Sequence, residues 1–517
     1  MDKQLKKIYL YMGIFVAIIF IGATYAFFTA GMSSENSTTV RADAGTMKIT
    51  YSGGANINLA GIYPKDDVWA TKTITVTGNN TTDAEMYYKL TLVVDSNTFK
   101  TDDPLQYELV STNTSTNGEV IPTISKTDLT ENSIELGSGK FAKANNAKHT
   151  YLLKIYYPKK TTSQNANQGA AFSAHVEITS AKAPTVINLV KAIRANNEVK
   201  APITTPGAAV STASEALLAS TEDDYGTSYY FRGAVKNNYV EFANKCWRIV
   251  RVGGDGSVKL ILHNDNTTGV ANPCDAANNS ASAAFARYSG TTYKSAFNTN
   301  YNDNAYVGFK FGTVGSSTYE ATHANTNNST ILTNLEAWYN NNDNFKKYEK
   351  VIADTVWCND KTNVTDTTYN PWNMSNVNGL GYGTNTTYYG ATQRLVSKSN
   401  SAGGTGPSLK CNGELSKIAS KVGLITADEL AYAGYAWNIG NTTTYLQENA
   451  TDTYWWSLSP GIFVGSSAGV WRVGGSNGGL NRSDVDYTGG LRPSISLKST
   501  TSVTGEGTSS SPYIISM

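Results

Sequence analysis

The residues able to do chemistry are few and unevenly placed. Four histidines, His149, His175, His263 and His323, stand in unrelated local contexts. A zinc hydrolase of the H-E-x-x-H kind needs a helix that turns two imidazoles and a carboxylate to one face, and the chain has no such run. Neither a serine elbow between a strand and a helix nor a P-loop is read from it. Carboxylate pairs suited to glycoside hydrolysis can meet in any fold, and spacing singles none out. Catalysis is therefore not expected.

Binding has more residues to carry it. Across 454–492 the chain alternates aromatic, basic and small polar types: Trp455, Trp471, Arg472, Asn477, Asn481, Arg482, Asp484, Asp486 and Tyr487. Aromatic rings bury area at low entropic cost while Arg and Asn add directional hydrogen bonds, a mixture common in paratopes and hot spots. These are the candidate ligand-binding residues, for a glycan or a protein on another cell or phage surface. Trp456, beside Leu458, is read as core.

All four cysteines, Cys246, Cys274, Cys358 and Cys411, lie in the C-terminal half. In an exported chain an even number suggests disulfides, and four cysteines allow three pairings. The pairing adopted is Cys246 with Cys274 and Cys358 with Cys411; free buried thiols are the alternative. Paired C-x-x-C spacing for zinc is absent. The runs Asn302-Asp303-Asn304 and Asn341-Asn342-Asp343-Asn344 offer oxygen ligands that would suit a structural calcium, against the plainer reading of Asx turns. No cofactor is expected.

These residues must be positioned outside a membrane. Lys3, Lys6 and Lys7 precede an uncharged apolar run over residues 8–28. A run of that length spans a bilayer as a helix, and flanking cations hold its start in the cytoplasm. Whether it is a retained anchor or a cleaved signal peptide stays open. With 517 residues the chain needs more than one core, and a net charge of +1 with 16% charged residues argues against nucleic acid as a partner. Between 45 and 180, stretches such as 46–51, 70–76, 87–94, 105–110, 149–157 and 171–178 alternate in the period-two manner of half-buried strands, with Gly78-Asn79-Asn80 read as a turn. That predicts a β-sandwich. Val186, Leu189, Val190 and Ile193 fall at helical spacing before Pro202, Pro206 and an Ala/Ser/Thr-rich stretch, predicting a short helix and linker, or a helix packed on the next domain.

The remainder predicts an α+β domain. Residues 247–252 and 258–262 flank Gly253-Gly254-Asp255-Gly256-Ser257, a hairpin turn. Ile331, Leu332, Leu335, Trp338 and Tyr339 predict a helix, 345–352 another, and Thr426 with Glu429 a capping box. The expected organisation is a signal peptide or anchor (1–30), a sandwich (31–182), helix and linker (183–220) and an α+β domain (221–517).

Two resemblances bear on this plan. The leader ending Thr24-Tyr25-Ala26-Phe27-Phe28, then Ala44-Gly45-Thr46-Met47-Lys48-Ile49, Ile62-Tyr63-Pro64-Lys65-Asp66, Lys72-Thr73-Ile74-Thr75-Val76 and Tyr87-Tyr88-Lys89-Leu90 resemble the biofilm-matrix fibre and camelysin family of Gram-positive bacteria. This implies cleavage after Ala26, a jelly-roll-like sandwich and, as a second functional reading, a subunit of an extracellular matrix fibre. The zinc-protease activity ascribed to camelysin finds no residues here. Tyr454-Trp455-Trp456-Ser457-Leu458-Ser459-Pro460-Gly461 with Val470-Trp471-Arg472-Val473 and Gly490-Leu491-Arg492-Pro493-Ser494-Ile495 resemble Firmicutes surface domains ending W-W-x-L-R-S-P-G … G-V-R-P-A, although the Arg after Leu458 is missing and Leu491 replaces Val. These imply a C-type-lectin-like fold of the formylglycine-generating-enzyme type, whose final strands form the ligand face. Trp357-Cys358-Asn359-Asp360 and Leu409-Lys410-Cys411 also resemble segments of such surface proteins, which supports the Cys358–Cys411 pairing. Some such domains are targets of diversity-generating retroelements, which the Asn/Ser/Gly-rich run 474–481 would suit. The whole chain thus reads as an exported cell-surface adhesion or recognition protein.

Overall fold

In the computed structural model, residues 39–43, 46–80, 85–112, 118–180, 186–266, 268–270, 272–377 and 379–516 are described. The apolar run and the expected cleavage site after Ala26 lie outside them. Among the described residues no helix is long and apolar enough to cross a membrane. The chain divides into two compact units, Met1–Thr185 and Val186–Met517.

Among the described residues the first unit is built from eleven strands: β1 Thr39–Asp43, β2 Thr46–Ser52, β3 Ile57–Ala60, β4 Lys65–Asn80, β5 Met86–Asn97, β6 Gln106–Ser111, β7 Gly118–Glu119, β8 Ile124–Asp128, β9 Ser133–Phe141, β10 Ala144–Tyr157 and β11 Ala171–Ser180. They form two antiparallel sheets, β1-β2-β4-β10-β6-β8 and β3-β11-β5-β9-β7. Alternate residues of β5 are buried, and Ile74, Val76, Leu90, Leu92, Leu153, Ile155, Val176 and Ile178 meet in one core. This is the arrangement that period-two patterning demands of two sheets sharing an interior. Gly78-Asn79-Asn80 is not a turn. It lies in β4, where Gly78 pairs with Ile49 and Ala147, and a side chain at Gly78 would enter the Phe141 ring. The glycine serves packing within a strand, a use that its type alone does not distinguish from a turn.

The second unit holds a nine-stranded sheet and a six-stranded sheet. The predicted hairpin is present as Lys245–Val252 and Val258–Asn264, with Gly256 at φ +78° in the turn. The helix Thr330–Asn340 starts at the Ser329 cap, and the capping box of Thr426 and Glu429 starts the helix Ala427–Ala433. The second expected helix is shorter than its pattern and runs only over Asp343–Lys347. Both disulfides have the expected partners, Cys246–Cys274 and Cys358–Cys411.

Much of the segment 183–220 is not a linker. Ile187–Asn188 pairs with Ser502–Thr504, and the helix Leu189–Asn196 buries Leu189, Ala192 and Ile193 in the core of this unit. Farther along, the buried Arg232 side chain donates to Thr204 Oγ1 at 2.6 Å and to the Ala209 carbonyl at 3.2 Å, and it pairs with Glu215 at 3.0 Å. Polar, Pro-containing composition reads as flexible, but a buried guanidinium needs acceptors, and this segment supplies them.

Candidate functional site

The six-stranded sheet carries the C-terminal strip. Its strands Trp455–Val464, Ser467–Val473 and Leu480–Asp484 lie side by side, with Leu480–Asp484 at the edge. Beside this edge is an open groove of about 440 Å³ lined by Trp372, Met374, Trp437, Asn481, Arg482, Ser483, Asp484 and Tyr487. Four of the expected ligand-binding residues therefore converge: Asn481, Arg482, Asp484 and Tyr487. Tyr487 is 58% exposed.

The other expected residues are placed differently. Trp455 and Trp471 are fully buried, so neither offers a face to a ligand. Trp471 belongs to an inner strand and is covered by the Trp437 ring at 5.3 Å, while the Arg492 guanidinium lies over Trp455 at 4.6 Å. Both are core residues, a correction forced by their position between neighbouring strands. Arg472 is half-buried over the Tyr454 ring at 4.9 Å and donates from Nε to Ser483 Oγ at 2.9 Å. Asn477 is exposed and caps its own turn, accepting from the Gly479 N–H at 3.0 Å. Asp486 is half-buried outside the groove lining.

Trp372, Met374 and Trp437 come from loops and carried no signal in the sequence. Their positions are set by Asn400, whose Oδ1 accepts from Trp372 Nε1 at 3.1 Å and from Trp437 Nε1 at 3.0 Å. Asn400 adopts φ +61°, a left-handed conformation that Asn tolerates better than most residues. The two indole rings lie 5.3 Å apart, and the Arg482 guanidinium stacks over Trp372 at 4.7 Å. Burial holds the Arg482 guanidinium below its ordinary value, with Asp484 partly offsetting the effect.

A second cavity, of about 140 Å³, is lined by charge. Glu429 Oε1 accepts from Lys259 Nζ at 2.6 Å and from Arg251 Nε at 2.8 Å, and Arg251 also reaches Asp223 at 3.0 Å. Arg394 binds Asp428 through two parallel bonds, at 2.7 and 2.9 Å, and Asp360 at 2.7 Å. Burial alone would raise the Glu429 carboxyl, but Lys259 and Arg251 outweigh it and hold it down at about 2. Every cation of this inner network has an acid, so the cavity reads as a fastening between elements, with the Cys358–Cys411 bridge in its wall. Lys361 is pushed down to about 7 by burial, and its ammonium is taken up by the carbonyls of Lys310 and His323 and by Asn325 Oδ1.

The pattern G-x-S-x-G does occur twice by residue type, as Gly465-Ser466-Ser467-Ala468-Gly469 and Gly474-Gly475-Ser476-Asn477-Gly478. Both lie at connections between antiparallel strands, followed by a strand and not a helix, so neither forms a nucleophile elbow. The acidic runs make Asx turns and longer bonds, with Asn304 Nδ2 donating to the Gly383 carbonyl at 2.9 Å. Asp303 accepts from the Ala305 and Gly315 N–H groups, and Asn342 accepts from the Asn344 N–H. Among the described residues, no three His, Cys, Asp or Glu side chains gather to hold a metal ion. The chain matches no family model, no curated protein and no solved structure.

Proposed function

We propose that this is an exported surface protein that recognises a glycan or protein ligand through the groove beside Leu480–Asp484. In this reading the first unit is a jelly-roll-like sandwich and the second a C-type-lectin-like domain that carries the ligand site. Residues 8–28 either anchor the chain in the membrane or are removed. The observation that carries the proposal is the convergence of Asn481, Arg482, Asp484 and Tyr487 with Trp372 and Trp437 in one open groove. Aromatic surface, a guanidinium, an amide and a carboxylate together suit binding by complementarity, without a catalytic pair. Two disulfides fit an oxidising compartment.

The test is to screen the full-length, oxidised chain against glycan arrays and bacterial or host cell surfaces, beside the double variant Arg482→Ala/Tyr487→Ala. Saturable binding that the double variant lowers by more than about tenfold, at the loss typical of hot-spot residues, supports the groove. Binding that the variant leaves unchanged places the site elsewhere. No binding, together with filament formation, favours the matrix-fibre reading.

A further inference from the structure

We infer that the ligand of this groove is a carboxylate-bearing saccharide, with Arg482 as the seat of the carboxylate; this rests on the recognition reading above. Exposed Arg194 apart, whose contact is the Tyr229 ring at 4.1 Å, Arg482 lacks what the other arginines of this unit have. Arg232, Arg248, Arg251 and Arg394 each hold an acid at 3.1 Å or closer. Arg287 and Arg492 donate to backbone carbonyls, and Arg472 donates to Ser483. Half-buried Arg482 makes no side-chain hydrogen bond or ion pair among the described residues, and its contact is the face of Trp372. A partly desolvated guanidinium with unused donors is costly to keep, and a planar carboxylate offsets that cost through two parallel N–H···O bonds.

The rest of the groove specifies what bears that carboxylate. The Asp484 carboxylate accepts no hydrogen bond among the described residues, which leaves it to accept from ligand hydroxyls. Exposed Tyr487 offers a ring for an apolar face. One cation and one acid leave the groove near neutral, which suits a single carboxylate and disfavours a polyanion.

The edge strand also argues against an added peptide strand. The Arg482 N–H donates to Asn481 Oδ1 at 2.8 Å, the Leu480 carbonyl accepts from the Asn438 N–H at 2.9 Å, and the Asp484 carbonyl accepts from the Tyr487 N–H at 3.2 Å. Three of the backbone groups that a docking strand would need are thus already taken. Recognition at this edge therefore runs through side chains.

The experiment is titration calorimetry on the full-length, oxidised chain. One arm compares the monocarboxylate methyl galacturonoside with its methyl ester, the other sialyllactose with lactose, so uronic and nonulosonic acids are separated. In at least one arm the acid should bind more tightly by roughly tenfold or more, the worth of a charge-assisted hydrogen-bond pair. Arg482→Gln should abolish the preference, and Arg482→Lys should restore only part of it. Asp484→Asn should weaken the acid without removing its advantage over the neutral partner. Circular dichroism establishes that each variant is folded. Equal binding of acid and neutral forms, or a preference surviving in Arg482→Gln, overturns the inference. Binding to a neutral glycan or a protein alone overturns it while sparing the recognition reading, and absence of binding to any ligand sinks both.

Discussion

Replacing Glu429 by Gln removes one negative charge from a site where two cations depend on it. Glu429 is buried, and its Oε1 serves both Lys259 and Arg251 while Oε2 accepts from the Thr426 N–H at 2.9 Å. A glutamine amide can keep the cap bond but cannot balance the charge. Arg251 would retain Asp223, whereas Lys259 would lose its ion pair in a site where burial already depresses its ammonium. A carboxyl held near 2 against an ordinary value near 4.5 corresponds to roughly 3 kcal/mol at neutral pH. Breaking a buried pair from one side costs about 3–5 kcal/mol, so both routes give a similar figure. By contrast, removing the exposed Lys346–Asp343 pair should leave stability nearly unchanged, because solvent screens it.

The sign with pH is fixed. Because the folded carboxyl is depressed, its contribution is full above the unfolded value and is lost as pH falls from about 4.5 towards 2. Urea unfolding of the second unit, followed by tryptophan fluorescence, should show Glu429→Gln less stable by roughly 3 kcal/mol at pH 7. The gap should narrow below pH 4. Adding Lys259→Met to Glu429→Gln should recover part of the loss by removing the unpaired cation. A cost below about 1 kcal/mol at pH 7, or a gap that widens in acid, would refute the reasoning.

Buried and cross-linked groups give two further expected outcomes. Loops of 28 and 53 residues closed by the two bridges predict losses of roughly 3.5 and 4 kcal/mol for Cys246→Ser/Cys274→Ser and Cys358→Ser/Cys411→Ser, read as lowered unfolding midpoints that reductant lowers further by cutting the one bridge each variant keeps. In the sandwich, burial holds His149 down at about 4, with Nδ1 bonded to the Tyr88 hydroxyl at 2.7 Å and the Phe141 ring stacked at 4.1 Å. Its neutral-state stabilisation is complete above the unfolded value near 6.5 and is lost towards pH 4, so the first unit should weaken by up to roughly 3 kcal/mol over that window. His149→Phe should flatten this slope in pH-dependent denaturation; an unchanged slope would count against the assignment.

Local features were readable where the physics is local. Period-two alternation predicted long strands of the sandwich, and the Gly/Asp-rich turn predicted the hairpin after Val252. Thr426 with Glu429 marked a helix start, yet nothing nearby hinted that the same glutamate would receive Arg251 and Lys259 from a distant hairpin. Trp455 and Trp471 were misplaced for a related reason. An aromatic residue in a strand looks the same whether its face meets solvent or another ring, and only the arrival of Trp437 covers Trp471. Trp372 and Asn400 were illegible because loop residues have no periodicity, and they meet only through one shared amide oxygen.

The contrast between the two cavities also separates fastening from recognition. In the charged cavity each inner cation has a carboxylate, so a ligand would have to displace bonds already made. In the edge groove the aromatic frame is fixed by Asn400, while the Arg482 fork and the Asp484 carboxylate remain without hydrogen-bond partners among the described residues. Preorganised rings beside unpartnered polar groups lower the entropic cost of binding and leave the enthalpy to be gained from a ligand. The fold compensates its other buried arginines and leaves Arg482 open, and the proposed carboxylate ligand would complete it.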